Sequence, residues 1–321
     1  MSLRAAPHVR RWVGTTAVVV AAGLTLAACS DGNEPAPASD RTSEPTASDP
    51  SETTSGTPTQ APTSAESPDP GMPTESQRTA GGTTVPAYFA GDGPGGRTTL
   101  FREFHRVSGD PLTEAARLVA GGGQPDDPDY RTLWPQVEIS SVTATGGVLL
   151  VQVPGDGFTS RPDGMSRREA RLALQQLVYT LQGVAQERAP VVVRREGDLP
   201  LLGLPTGREV SNASALRTLN LVSITSPAEG DTVTGRTLEV TGVSNSFEAS
   251  GPCWILRGEE ELAAGGYQAE AWMGDRLYPF EAELPLTGIT GEVTLRCETD
   301  DPSGGTEGPG PAVDTKTITV R

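Results

Sequence analysis

The 53 residues from Ser30 to Gly82 hold nine Pro, nine Ser and nine Thr, with nine acids, two Arg and almost nothing large and apolar. Such a segment cannot bury enough surface to offset the entropy of ordering it. Any folded core in this chain of 321 residues must therefore be built from the stretch beginning at about Thr83. Residues 29–82 read as a disordered tether with an r.m.s. span of roughly 40 Å, stretched further by its prolines and like charges.

The segment before the tether has a different physical character. Arg4, Arg10 and Arg11 lead into an acid-free apolar stretch from Trp12 to Ala28, too short for a spanning helix and of the right length for the hydrophobic region of a secretory signal over residues 1–28. It ends in Leu26-Ala27-Ala28-Cys29, which is similar to a bacterial lipobox, with Leu26, Ala27 and Ala28 presented to the signal peptidase and Cys29 carrying the lipid. The alternative is an ordinary cleavage site followed by an incidental cysteine. The expected location is the extracytoplasmic face of the cell membrane, lipid-anchored. Formal charge is −16, and removing residues 1–28 takes away three Arg and no acid, leaving −19. Anionic headgroups repel so acidic a surface, which assigns attachment to the lipid.

Charge and composition also exclude function classes. Of 25 basic residues 24 are Arg, the lone lysine being Lys316, against 41 acids. No phosphate-tracking surface for nucleic acid is expected. His8 lies in the signal region, so His105 is the single histidine left for acid–base or metal chemistry.

Two units lie beyond the tether, over 83–204 and 219–321, with 205–218 as a linker. In the first, Val85–Phe89 and Thr98–Val107 read as strands around Gly91-Asp92-Gly93-Pro94-Gly95-Gly96. The latter is a literal G-x-G-x-x-G, but a dinucleotide loop must open a helix and here a β-branched strand comes next, so it reads as a hairpin turn. Asp110-Pro111 is an N-cap with proline in the first turn, and Leu112, Ala115, Ala116 and Val119 share one face of a helix that Gly121-Gly122-Gly123 stops. Val137–Val142 and Val148–Val153 read as strands around Gly146-Gly147. Ser166-x-x-Glu169 is a capping box, after which Ala170, Leu174, Leu177, Val178 and Leu181 recur at helical spacing up to Gly183. Ala189–Arg194 closes the unit as a strand covered on both faces. The order is β-β-α-β-β-α-β, an α+β domain expected to set two helices on one side of a sheet.

The second unit carries short strand-like runs at Leu221–Ile224, Leu238–Val243, Cys253–Arg257, Tyr267–Trp272, Pro279–Leu284, Val293–Cys297 and Thr317–Val320, separated by turn clusters such as Pro227–Gly230 and Pro302–Gly305. Seven strands in about a hundred residues without a helical period predict an all-β sandwich. Cys253 and Cys297 form an even pair in an oxidising compartment, and a disulfide between them would close a loop of 45 residues. A reactive or metal-bound thiol pair is the alternative, for which neither a C-x-x-C partner nor a nearby histidine is present.

Tyr88-Phe89, Asp110-Pro111-Leu112, the Gly122–Pro125 turn, Gly147–Val153 and Leu177–Leu181 together resemble the GerMN domain of sporulation and spore-germination lipoproteins. Ser226-Pro227, Gly230-x-x-Val233, Val240-x-Gly242 and Phe247-Glu248-Ala249 resemble the immunoglobulin-like domain, of the Gmad type, that comes after it in such proteins. Gln152 departs from the aspartate many members show. The resemblance implies a role in sporulation, germination or envelope assembly, and the composition, Arg over Lys and rich in Ala and Gly, is similar to actinobacterial chains.

No catalytic constellation, cofactor motif or metal set is expected. His105 reads as a partly exposed strand residue. Asp126, Asp127 and Asp129 are spaced for calcium, but no Gly-turn-Glu completes a loop. Glu259-Glu260-Glu261 reads as a hairpin tip, and Asn212-Ala213-Ser214 as a chance glycosylation match. The function expected is a non-enzymatic binding or assembly module whose partners are envelope proteins, with the membrane reached through the N-terminal lipid. The alternatives are a peptidoglycan-binding or peptidoglycan-cleaving wall protein and a solute-binding lipoprotein, the last marked by a deep apolar pocket between the units.

Overall fold

The computed structural model describes residues 82–301, 306 and 308–321. The signal region, Cys29 with Leu26, Ala27 and Ala28, and the tether up to residue 81 lie outside the described residues.

The first domain opens on a hairpin of β1 (Thr83–Gly93) and β2 (Arg97–Val107), paired antiparallel from Thr83↔Val107 to Gly93↔Arg97. Gly95 and Gly96 take φ of 65° and 70° in the turn, which side-chain-bearing residues resist. The glycine-rich run is thus a chain reversal that opens no α-helix. α1 (Pro111–Ala120) starts where Asp110 accepts the N–H of Thr113, and it buries Ala115, Ala116 and Val119. α2 (Arg167–Ala185) carries the reciprocal Ser166/Glu169 box and is the crossover between two parallel strands. Those strands sit in a four-stranded sheet ordered β3 (Ser141–Thr145), β4 (Val148–Gln152), β5 (Val191–Arg194), β6 (Glu209–Val210).

Three details differ from the sequence reading. The strand expected from Val137 pairs only from Ser141, although Val137 and Ile139 are buried. The reason is that α1 takes the backbone groups a ladder would use: Val137 N–H donates to Ala120 O at 2.8 Å, and Arg117 donates to Ile139 O at 2.9 Å and Ser140 O at 2.8 Å. Gly183 does not end α2, which runs on to Ala185 and stops at Gln186 in the left-handed region, φ 54°. A Cβ at Gly183 would lie 2.8 Å from Pro86 Cγ, so the glycine serves the close approach of α2 to β1. The domain has two sheets rather than one, because both edges of the β1–β2 hairpin are taken. On β1, Tyr88 donates to Thr180 Oγ1 and accepts from Gln176 Nε2, both at 3.0 Å, while Ala90 exchanges backbone bonds with Arg131. On β2, Leu100 O accepts the N–H of Asn220 at 2.8 Å.

Residues 205–218 carry β6 and the short helix α3 (Ala215–Thr218). Beyond them lies one curled sheet built from β7 (Val222–Ser226), β8 (Thr232–Val233), β9 (Thr237–Ser244), β10 (Ser250–Arg257), β11 (Glu260–Ala269), β12 (Tyr278–Pro285), β13 (Gly291–Glu298) and β14 (Val313–Val320). Their order is β7-β9-β12-β11-β10-β13-β14-β8, and the curl brings β7 back against β14, where Ile224 N–H donates to Asp314 Oδ2 at 2.6 Å. Alternating side chains from the strands, among them Ile224, Val240, Ile255, Phe280, Leu284, Leu295 and Ile318, fill the interior as in an immunoglobulin-like sandwich. Two strands differ from expectation. β8, two residues paired parallel to β14, is an additional strand, and the run expected at Tyr267–Trp272 is the tail of β11, which ends at Ala269 and leaves Trp272 in a loop. Cys253 and Cys297 face each other on β10 and β13, form a disulfide and are fully buried. Trp254, one position on, takes the opposite face beneath the guanidinium of Arg296.

Candidate functional site at the domain junction

β14 alternates inward and outward, which puts Asp314 and Lys316 on the inward face with Ile318 and Val320. The only lysine in the sequence is consequently 3% exposed. Its Nζ lies 2.5 Å from Asp127 Oδ2, 2.8 Å from Tyr130 Oη and 3.8 Å from Asp314 Oδ1. Asp127 and Tyr130 belong to the first domain, so this ammonium is held from both sides of the junction. Burial works against its charge, but Asp314 and Asp127 together outweigh burial and hold its pKa above the usual lysine value.

The surrounding acceptors are almost fully used. Tyr130 donates to Asp314 Oδ1, which also accepts the Thr315 N–H at 2.9 Å. Burial, opposed by Lys316 and Tyr130, leaves the Asp314 carboxyl above its ordinary pKa, and burial with the two aspartates pushes the Tyr130 phenol well up. Asp127 Oδ1 accepts the N–H of Asp129 at 2.8 Å. Glu103 on β2 forms the floor, accepting the N–H groups of Asp127 at 2.8 Å and Asp126 at 3.1 Å. A buried charge group with its hydrogen bonds satisfied fixes one arrangement and penalises every other.

The loop acids therefore act differently from calcium ligands. Asp127 faces Lys316, and Asp129 accepts from Thr315 Oγ1 at 2.9 Å. Among the described residues no group of three or more His, Cys, Asp or Glu is placed to hold a metal ion. His105 is partly exposed, its Nε2 3.0 Å from Glu103 and its Nδ1 3.5 Å from Asp126, and its ring packs edge-on against Phe89. The residues that matter most at the junction, Lys316, Asp314, Tyr130 and Glu103, were missed by motif reading. A signal was present: Asp314 and Lys316 are in phase with Ile318 and Val320.

The remaining seam is polar. Arg102 Nη2 donates to Thr225 Oγ1 at 2.9 Å, and Asn220 Nδ2 donates to Val222 O at 2.8 Å and Val313 O at 2.9 Å. Beneath it Leu100, Tyr179, Ala215 and Leu219 form a small apolar cluster. Beside the seam opens a cleft of about 700 Å³ whose walls include Tyr88, Arg102, Tyr179, Arg188, Glu270 and Arg276. It is open, and polar and apolar groups line it in about equal measure. The apolar cavity under α2, between Trp134, Leu174 and Leu202, holds only about 20 Å³, close to the room one water needs.

An α+β domain joined through a buried charge cluster to an immunoglobulin-like domain is the architecture these observations define. Residues 86–199 match the family model described as sporulation and spore germination, and residues 221–306 match the immunoglobulin-like domain of bacterial spore germination. The chain thus carries a GerMN-type domain followed by a Gmad-type immunoglobulin-like domain, and both are non-catalytic domain types. Among solved structures it is similar to the tandem GerMN domains of the sporulation protein GerM from Bacillus subtilis, at 14% identity and a TM-score of 0.31, over 57% of this chain and 60% of that one. The chain spans less than two thirds of that relative's length. No curated protein matches the sequence. No helix among the described residues is long and apolar enough to cross a membrane.

Proposed function

We propose that this chain is a membrane-anchored extracytoplasmic lipoprotein acting as a non-enzymatic binding and assembly module in the cell envelope, of the sporulation and germination type. The observation that carries the reading is the Lys316 cluster. In it a lysine of the second domain is held by an aspartate and a tyrosine of the first, the kind of joint a scaffold needs. The sequence from Arg4 to Cys29 supplies the anchor in this reading, and the tether sets the body away from the bilayer.

The test has two arms. Metabolic labelling with a fatty-acid precursor should mark the wild-type chain and leave Cys29→Ser unmarked; an unmarked wild type that fractionates with soluble cytosol removes the anchor. In-cell crosslinking of the anchored protein should return envelope proteins, and recovery of muropeptides alone would replace assembly with wall binding. Wall binding is the second reading, and a pull-down on purified wall material distinguishes it.

A further inference from the structure

Four large apolar side chains are notably exposed among the described residues, and three of them stand on two neighbouring loops of the second domain: Phe247 at 42%, Trp272 at 37% and Met273 at 79%. The rings of Phe247 and Trp272 meet edge to face, with centroids 5.1 Å apart.

The loops are fixed from below. Asn245 Nδ2 donates to Gly274 O at 3.2 Å and to Arg276 O at 2.6 Å, tying one loop to the other. Asp300 N–H donates to Ser246 Oγ at 2.7 Å, and Gln268 Nε2 to Ala249 O at 3.1 Å. Within them Glu248, Ala249 and Met273 adopt φ of 52°, 58° and 60°. Residues with side chains persist in that region only where their surroundings impose it, and such strain gathers at functional sites. A polar floor here holds three apolar tips out in water.

The rim decides what they face. Exposed Glu248, Glu270 and Asp275 lie within two positions of the tips in the chain, and exposed Asp300 is bonded to Ser246, against Arg276, which lies over Tyr278, and Arg188, which lines the cleft beside Glu270. An acidic rim repels an anionic bilayer or an anionic wall polymer, and it attracts a basic one. Trp, Phe and Met are residue types enriched at interface centres.

We infer that Phe247, Trp272 and Met273 form an anchor that seats in an apolar socket rimmed by Lys or Arg on a protein partner in the envelope. The inference rests on the assembly reading and names the surface through which assembly occurs.

Photo-crosslinking in the host, with the full-length lipidated protein carrying p-benzoylphenylalanine, tests it. The probe replaces Phe247 or Met273 in turn, and Thr143 or Glu283, both exposed and on strands outside the two loops, as comparison positions. The expected result is an adduct from 247 and 273 on one protein, at an apolar peptide flanked by Lys or Arg, reduced about tenfold or more by Trp272→Ala or Met273→Asn. Asparagine tolerates the left-handed backbone at 273, and unchanged melting temperatures of both variants establish that the fold is intact. Adducts on lipid, on a second copy of this chain or on an acidic segment overturn the inference, as does indifference to both variants. Protein adducts from 143 or 283 with none from 247 and 273 overturn it while leaving the assembly reading standing, whereas no protein adduct from any position removes both.

Discussion

Lys316 Nζ stands 2.5 Å from Asp127 Oδ2 across the domain junction, although 189 positions separate the two residues. Both side chains are almost wholly buried, so the pair meets out of reach of water. Removing the ammonium in Lys316→Met leaves two buried aspartates uncompensated, and the expected loss is about 3–5 kcal/mol. Chemical denaturation followed by intrinsic fluorescence measures it, and Lys316→Met/Asp127→Asn should be less damaging than Lys316→Met alone. Lys316→Arg, the one change that would make the chain all-arginine, should also destabilise it, by about 1–3 kcal/mol, because a larger head must enter a filled site.

The same cluster sets a pH dependence on the alkaline side. Lys316 has its pKa above 10.5 in the folded state, so in the unfolded chain it loses its proton first. The phenols of Tyr130, Tyr179 and Tyr267, raised chiefly by burial, behave likewise relative to 10.0. In each case the folded protein holds more protons than the unfolded one, and stability must fall as pH rises. Melting temperature should therefore be level just below about pH 10 and drop beyond it. Phenolate absorbance of these three tyrosines should appear only together with unfolding. Asp314, raised from 3.8, has the same sign at low pH, and its own contribution declines as pH climbs through its titration.

Gly183→Ala should destabilise the protein despite improving helix propensity by about 1 kcal/mol. The new methyl would sit 2.8 Å from Pro86 Cγ, and a proline ring in a paired strand cannot swing aside. A net loss of about 1–2 kcal/mol is expected, read as a lowered melting temperature. An increase would mean that α2 and β1 have slack between them.

Reduction of Cys253–Cys297 should raise the mass by two hydrogens and shift the denaturant midpoint downward. The bond spans a separation of 44 positions, for which the chain-entropy account gives about 4 kcal/mol at most. Both sulfurs are fully buried, so reduction under native conditions should be slow compared with reduction in denaturant.

Much of the fold could be read from local pattern. The capping box at Ser166, the cap at Asp110, the Gly95-Gly96 turn and the alternation along the strands of the second domain each arise from hydrogen-bond needs or backbone freedom at one place in the chain. Departures occur where a distant element intervened. Arg117 of α1 took the carbonyls of Ile139 and Ser140, and Pro86 of β1 rather than a helix stop explains Gly183.

The sequence alone determined which side of each element turns inward, since periodicity answers only to whether a side chain leaves water. Which inward-facing groups then meet is a matter of how elements stack. Asp314 and Lys316 were inward-facing by phase, yet only the stacking of β14 against the loop after α1 supplied Asp127 and Tyr130 to a charge that could not otherwise be buried.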